Sequence, residues 1–126
     1  MKILFGLIFV SFITLSCKNK LVSSDGQPLF ENVDVAGAKE LIANNPEIII
    51  LDVRTPDETK NGMLPNAIEI DFRSSKFEAD IDKLDKTKSY LVYCKSGGRS
   101  TGACKKMRAA GFENITNMEG GYTAWK

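Results

Sequence analysis

The chain contains no histidine. That absence removes Ser-His and Cys-His catalysis, and with them every metal site that needs an imidazole ligand. Cysteine is scarce too. The three cysteines, at 17, 94 and 104, show no Cys-x-x-Cys spacing, which argues against zinc; no metal and no cofactor are expected. No excess of one charge is present. With 17 basic and 16 acidic side chains there is no electrostatic footprint for a nucleic acid. No apolar run reaches the roughly 20 residues that a membrane-spanning helix needs. Internal repeats and low-complexity segments are missing as well. A length of 126 residues fits one folded domain.

The N-terminus is the first feature that is present rather than absent. Met1-Lys2 precedes Ile3 to Leu15, which is apolar apart from Gly6, Ser11 and Thr14. The run is short for a spanning helix and matches the apolar region of a secretory signal peptide. It ends in Thr14-Leu15-Ser16-Cys17. A small residue directly before a cysteine resembles the lipobox of bacterial lipoproteins, with Thr14 where leucine is usual. The resemblance implies removal of residues 1–16 and lipidation of Cys17. An ordinary secretory signal and an uncleaved anchor are the alternatives. Lipid chains would hold the protein at a bacterial membrane surface without crossing it, outside the cytoplasm and in the periplasm. Residues 17–28 are polar and turn-rich and read as a tether, leaving 29–126 as the folded domain, expected to be a monomer.

Within that domain, strand and helix patterns alternate. Asp34 is placed to cap a helix over Val35 to Asn44, ended by Asn45-Pro46. Ile48 to Leu51 is a continuous apolar, β-branched run with room for a buried parallel strand. Ala67 to Asp71 reads as a strand and Phe77 to Leu84 as a helix; Tyr90 to Tyr93 is a strand again. Thr101 to Ala110 is helical, with Ala103, Cys104 and Met107 on its apolar face. Ile115 to Met118 is a last strand, and Gly120-Gly121 turns into a terminal helical piece. The alternation predicts an α/β fold, a central, mostly parallel sheet with helices on both faces. Ligands of such sheets sit at the carboxyl ends of the strands, where Asp52, Asp71 and Cys94 fall.

The stretch Cys94-Lys95-Ser96-Gly97-Gly98-Arg99-Ser100 joins one strand to the next helix. A cysteine there opens a glycine-containing loop that feeds a helix N-terminus, which aims backbone N–H groups at the sulfur. Amides and cations of this kind lower a thiol's pKa. The candidates are the amides of residues 95 to 100, the hydroxyls of Ser96 and Ser100, and the charges of Lys95 and Arg99. Gly97 and Gly98 let the backbone curl around the sulfur. The same cradle suits an oxyanion, gripped by the Arg99 fork and the mobile Lys95 ammonium. Asp52 is read as support for the loop and Arg54 as shaping its entrance, the two forming an ion pair or hydrogen-bond network. Cys104 reads as a small core hydrophobe, with a resolving thiol as the sharper alternative. Tyr122 and Trp125 read as packing residues.

Four segments in order carry a family resemblance. Cys94-x4-Arg99-Ser100 after a strand resembles the active-site loop of rhodanese-type sulfurtransferases. Asp52-Val53-Arg54-Thr55-Pro56-Asp57-Glu58 is similar to that family's first signature. Ala110 to Ile115 and Gly120 to Trp125 resemble its closing signatures. Where relatives commonly read Gly-His-Ile-Pro-Gly-Ala, this chain has Gly62-Met63-Leu64-Pro65-Asn66-Ala67. The resemblance implies a rhodanese-like fold and covalent sulfur transfer through a Cys94 persulfide. The donor would be a small sulfur-containing anion, thiosulfate or a persulfide, and the acceptor cyanide or a thiol. A persulfide carrier with little thiosulfate turnover is one alternative; a cysteine-dependent phosphatase or arsenate reductase is another. Similar phosphatase loops place one residue more between cysteine and arginine, which makes a wider cradle. A catalytically idle interaction domain is a third alternative, opposed by the intact cysteine loop.

If Cys17 carries the anchor, Cys17→Ser releases the protein from membranes into the soluble fraction. Continued membrane retention points to another anchor.

Overall fold

The computed structural model describes residues 24, 26 and 29–126. The signal segment, Cys17 and nearly all of the tether lie outside the described residues. Ten elements follow in order: β1 (Glu31–Val33), α1 (Val35–Asn44), β2 (Ile49–Asp52), α2 (Pro56–Thr59), β3 (Ile68–Glu69), α3 (Phe77–Asp82), β4 (Ser89–Tyr93), α4 (Gly98–Ala109), β5 (Asn114–Met118) and α5 (Gly121–Trp125). The strands form one sheet in the order β1-β5-β4-β2-β3, and every pairing is parallel. The predicted α/β architecture is therefore present, and the sheet is wholly parallel.

Strand periodicity decides what each face carries. Side chains alternate across a strand with a period of two. Tyr90, Val92 and Cys94 point to the face covered by α3 and α4, where Phe77, Ile81, Ala103, Cys104 and Met107 pack. Leu91 and Tyr93 point to the other face, where they join Ala38 of α1, with Tyr122 and Trp125 of α5 packed alongside. Leu51 and Val53 share the α4 side, while Ile50 faces α1. The same alternation separates the chemistry. The sulfur of Cys94 lies under α4, and Asp52 and Tyr93 meet on the opposite side.

The topology brings two loops together. β2 and β4 are neighbours in the middle of the sheet, with Asp52 level with Tyr93. The segment after β2 and the segment after β4 thus leave the sheet side by side at its carboxyl end. The chain passes from β2 outward to β3 and then back across β2 to β4. That reversal is the kind of switch point at which open α/β sheets place ligands.

Local chemistry explains the boundaries. Asp34 caps α1 as expected: its Oδ1 accepts the Gly37 N–H at 2.8 Å. Pro56 occupies the first turn of α2, where a missing N–H does no harm. Three expectations shift. β1 has no counterpart in the sequence reading, because its residues Glu31 and Asn32 are exposed and show no apolar alternation. The strand expected over Ala67 to Asp71 shrinks to Ile68–Glu69 at the sheet edge, although the Ile70 and Phe72 amides still bond Asp52 and Val53 carbonyls at 2.9 Å and 3.1 Å. The helix expected from Thr101 begins at Gly98, so half of the cysteine loop is already the first turn of α4.

Candidate functional site

Cys94 follows the last residue of β4, and its loop ends at Gly97, which has φ 119°. That conformation belongs to glycine rather than to any residue with a Cβ. The space beside Gly97 is open: a Cβ there would have Gly120 N, at 3.8 Å, as its nearest neighbour, so backbone angle and not crowding sets the requirement. With Gly97 in this state its N–H donates to Cys94 Sγ at 3.1 Å, and Ser100 Oγ stands 3.4 Å from the sulfur. Cys94 is 1% exposed. Burial alone would push its thiol up. Hydrogen bonds from the Ser100 hydroxyl and from the amides of Ser100, Gly97 and Ser96 outweigh it and hold the thiol below its ordinary value. Of the loop amides, those of Ser96, Gly97 and Ser100 are turned to the sulfur.

The carbonyls on the other side of this loop are held by α5. Tyr122 N–H donates to the Cys94 carbonyl at 2.8 Å and Thr123 N–H to the Lys95 carbonyl at 3.0 Å. The first turn of a helix has spare N–H donors, and here two carbonyls of the loop take them. With its carbonyls turned to α5, the loop has its amides left for the sulfur. Gly121 makes the approach possible. It has φ 57°, and a Cβ there would overlap the Cys94 carbonyl oxygen and lie 2.6 Å from the Lys95 carbonyl.

A buried ionic network lies below the loop. Asp52 is 0% exposed and Arg54 3%. Arg54 Nη2 reaches Asp52 Oδ2 at 2.7 Å, Arg54 Nε reaches Oδ1 at 3.0 Å, and the Arg54 N–H also caps Oδ1 at 3.0 Å. Tyr93 donates its hydroxyl hydrogen to Asp52 Oδ2 at 2.5 Å and accepts the Leu64 N–H at 3.0 Å. Burial, with help from the Asp52 carboxylate, pushes the Tyr93 phenol above its ordinary range, so it stays a donor. Arg54 Nη2 also donates to the Gly62 carbonyl at 2.7 Å, and the Tyr122 ring covers the guanidinium at 4.1 Å. Asp52 thus joins Arg54 and Tyr93 in one buried network. Arg54 is held in this network and also lines the cavity beside the loop. Removing one partner of such a pair leaves a buried charge and costs about 3–5 kcal/mol.

Arg99 has a carboxylate partner of its own. Its Nη1 and Nη2 bond the two carboxylate oxygens of Glu58, at 2.6 Å and 2.9 Å. The fork expected to grip substrate oxygens is occupied, and Glu58 cancels its charge. Glu58 is in turn held to about 2, chiefly by Arg99, with Thr55 assisting. Lys95, Ser96 and Gly98 are exposed around the loop, as a substrate-facing position requires, and Ser100 is fully buried. Lys95 lines a shallow cavity of about 270 Å³ with Arg54, Glu58, Tyr122 and Lys126. Cys104 packs in the core beneath α4 at 0% exposure, its thiol pushed up to about 12 by burial and by Cys94, which fits a core hydrophobe and not a resolving thiol.

Glu58, Tyr93 and the α5 amides were not singled out from sequence. Glu58 was legible as the one carboxylate of the α2 turn able to reach Arg99 once β2 and β4 are neighbours. Tyr93 was legible from the strand period, which puts it on the Asp52 side whenever Cys94 lies on the α4 side. The α5 contact had no local signal beyond the Gly120-Gly121 pair.

A five-stranded parallel sheet with a cysteine cradle at the carboxyl end of its central strand defines the class, and the family model "Rhodanese-like domain" matches residues 34–126. The chain belongs to the rhodanese-like domain family. It is 36% identical over 96 residues to YtwF of Bacillus subtilis, which carries a provisional sulfurtransferase name; the match covers 76% of this chain and 90% of that protein. It is 29% identical over 98 residues to thiosulfate sulfurtransferase GlpE of Coxiella burnetii, covering 78% and 89%. Among solved structures it is similar to a rhodanese-related protein from Thermoplasma volcanium, with TM-score 0.67, 31% identity and coverage of 76% and 90%.

Two outcomes follow from this geometry. Gly121→Ala is expected to lower stability by roughly 1–3 kcal/mol, through its left-handed backbone, and to move the Cys94 thiol back toward about 8.5. Denaturant titration and the pH dependence of Cys94 alkylation read the two effects; an unchanged alkylation midpoint contradicts the α5 lock. The Glu58 carboxylate has a lowered pKa, so its stabilisation is complete above the unfolded value and is lost as pH falls through the folded one. Wild type should therefore lose its stability advantage over Glu58→Gln between pH about 5 and about 2. A constant difference in melting temperature across that window contradicts the pairing.

Proposed function

We propose that the protein is a sulfurtransferase that moves sulfane sulfur from a donor such as thiosulfate to cyanide or a thiol through a Cys94 persulfide. The observation that carries this reading is the Gly97 N–H at 3.1 Å from a sulfur whose thiol is held below its ordinary value. Membership of the rhodanese-like family and relatives named as sulfurtransferases support it. The thiolate attacks the outer sulfur of thiosulfate. The S–S bond of thiosulfate breaks, sulfite leaves with the electron pair, and Cys94 becomes a persulfide anion. The acceptor then attacks the terminal sulfur and takes it, returning the Cys94 thiolate. This is covalent, two-stage chemistry. An already ionised sulfur makes a general base unnecessary, which suits a chain without histidine. Both sulfur anions sit where the loop amides point. Lys95 supplies the exposed positive charge for an anionic donor, since Arg99 is neutralised by Glu58. The lipobox-like segment ending at Cys17 supports an extracytoplasmic, membrane-anchored site of action.

A second reading is favoured by the Arg99–Glu58 pair. Without a free guanidinium fork, thiosulfate binds weakly, and the protein acts as a persulfide carrier loaded by a partner. The two readings share Cys94 and differ in the donor.

Intact-protein mass spectrometry after thiosulfate treatment tests the shared step. The expected result is a gain of one sulfur atom that is absent from Cys94→Ser. No adduct, together with turnover of an aryl phosphate, sinks the sulfurtransferase reading in favour of a phosphatase. Slow thiocyanate formation with fast loading from a protein persulfide selects the carrier.

A further inference from the structure

Ser100 has one hydroxyl hydrogen and two acceptors within reach. Cys94 Sγ is at 3.4 Å and the Gly97 carbonyl at 3.1 Å. A single hydroxyl donates to one of them at a time. The Gly97 carbonyl has other donors: Thr101 Oγ1 at 2.8 Å and Thr101 N–H at 3.2 Å. Thr101 Oγ1 itself accepts an N–H from Asn117 Nδ2 at 3.4 Å, so the Thr101 hydrogen is left for Gly97. Asn117 is 2% exposed and reaches Thr101 from β5, on the α4 side of the sheet. Its Nδ2 also bonds Asn32 Oδ1 of β1 at 2.9 Å. Its own Oδ1 has no partner among the described residues. A buried, unpartnered amide oxygen is unfavourable. The arrangement that incurs it is the one that keeps the Asn117 N–H aimed at Thr101.

We infer that Thr101 and Asn117 are positioning residues that set the direction of a hydrogen-bond chain and so release the Ser100 hydroxyl to the Cys94 sulfur anion. The Asn117 N–H fixes the Thr101 oxygen as acceptor, and the Thr101 O–H satisfies the Gly97 carbonyl. The Ser100 O–H then turns from Gly97 to the sulfur when Cys94 is a thiolate or a persulfide. No proton is gained or lost in this turn; one hydroxyl rotates. Both residues act through Ser100. Without the Thr101 hydroxyl, Ser100 is held by Gly97 and the sulfur loses a donor.

The inference rests on Cys94 working as an anion, and its test reads ionisation rather than sulfur transfer. The probe is ultraviolet thiolate absorbance against pH, each protein read as the difference from its own Cys94→Ser counterpart, so that Cys17 and Cys104 cancel. Thr101→Val is expected to raise the Cys94 midpoint by about one pH unit, the effect of one hydrogen bond to a charged group. Thr101→Ser restores the wild-type midpoint. Asn117→Leu raises it in the same direction by less, and serves as the second handle if Thr101→Val does not fold. A merely structural role lowers the melting temperature without moving the midpoint. A wild-type midpoint in Thr101→Val or Asn117→Leu, or failure of Thr101→Ser to restore it, overturns the inference. A wild-type protein whose own midpoint is not lowered overturns the anionic reading of Cys94 and this inference with it.

Discussion

The amides of Tyr122 and Thr123 hold the carbonyls of Cys94 and Lys95, and the geometry of the Cys94 loop depends on that pair of hydrogen bonds. A peptide chain carries donors and acceptors in equal number, and a tight loop around an anion has to put its acceptors somewhere. Here the Cys94 and Lys95 carbonyls face α5, and the Ser96, Gly97 and Ser100 amides face the sulfur. The loop comes from β4 and α4, but α5, which follows β5, decides which way its peptides point. Gly121 lets the two segments meet without a Cβ between them.

This arrangement divides the electrostatic work around the Cys94 loop. The two arginines beside the loop are both neutralised, Arg54 by Asp52 and Arg99 by Glu58. The Arg99–Glu58 pair joins the loops after β2 and β4, and fixed backbone dipoles face the Cys94 sulfur. Such dipoles need no reorganisation when charge appears, and they are effective in a site from which water is excluded. Buried ion pairs often contribute little net stability. Their use here is positional. Asp52 collects Arg54 and Tyr93, and through them Gly62 and Leu64, so the segment between β2 and β3 is fixed at the rim of the site.

Much of this was legible in the sequence. The apolar run at Ile48 to Leu51, the Asp34 cap and the glycine-bearing loop after Tyr93 each carry a local signal that survives into the structure. β1 was not legible, since an exposed three-residue edge strand pairs through its backbone and leaves no pattern in its side chains. The partner of Arg99 was not legible for a related reason. A loop-end arginine in isolation looks like an anion grip, and only the adjacency of β2 and β4 reveals that Glu58 already fills its fork. Pairwise partners separated by 41 residues are a property of topology. Residue type in one window does not carry them. On either side of Met63, the Gly62 carbonyl and the Leu64 amide tie this segment to the Asp52 network through the backbone.

The central claim is that the backbone amide of Gly97 stabilises Cys94 as an anion. Following the Gly97 amide proton by nuclear magnetic resonance through a pH titration tests it most directly. The account predicts a large downfield displacement of that resonance as Cys94 ionises, with a midpoint below the ordinary thiol value of about 8.5 and no such displacement in Cys94→Ser. A Gly97 resonance that stays in place, or that moves only at or above that value, contradicts it.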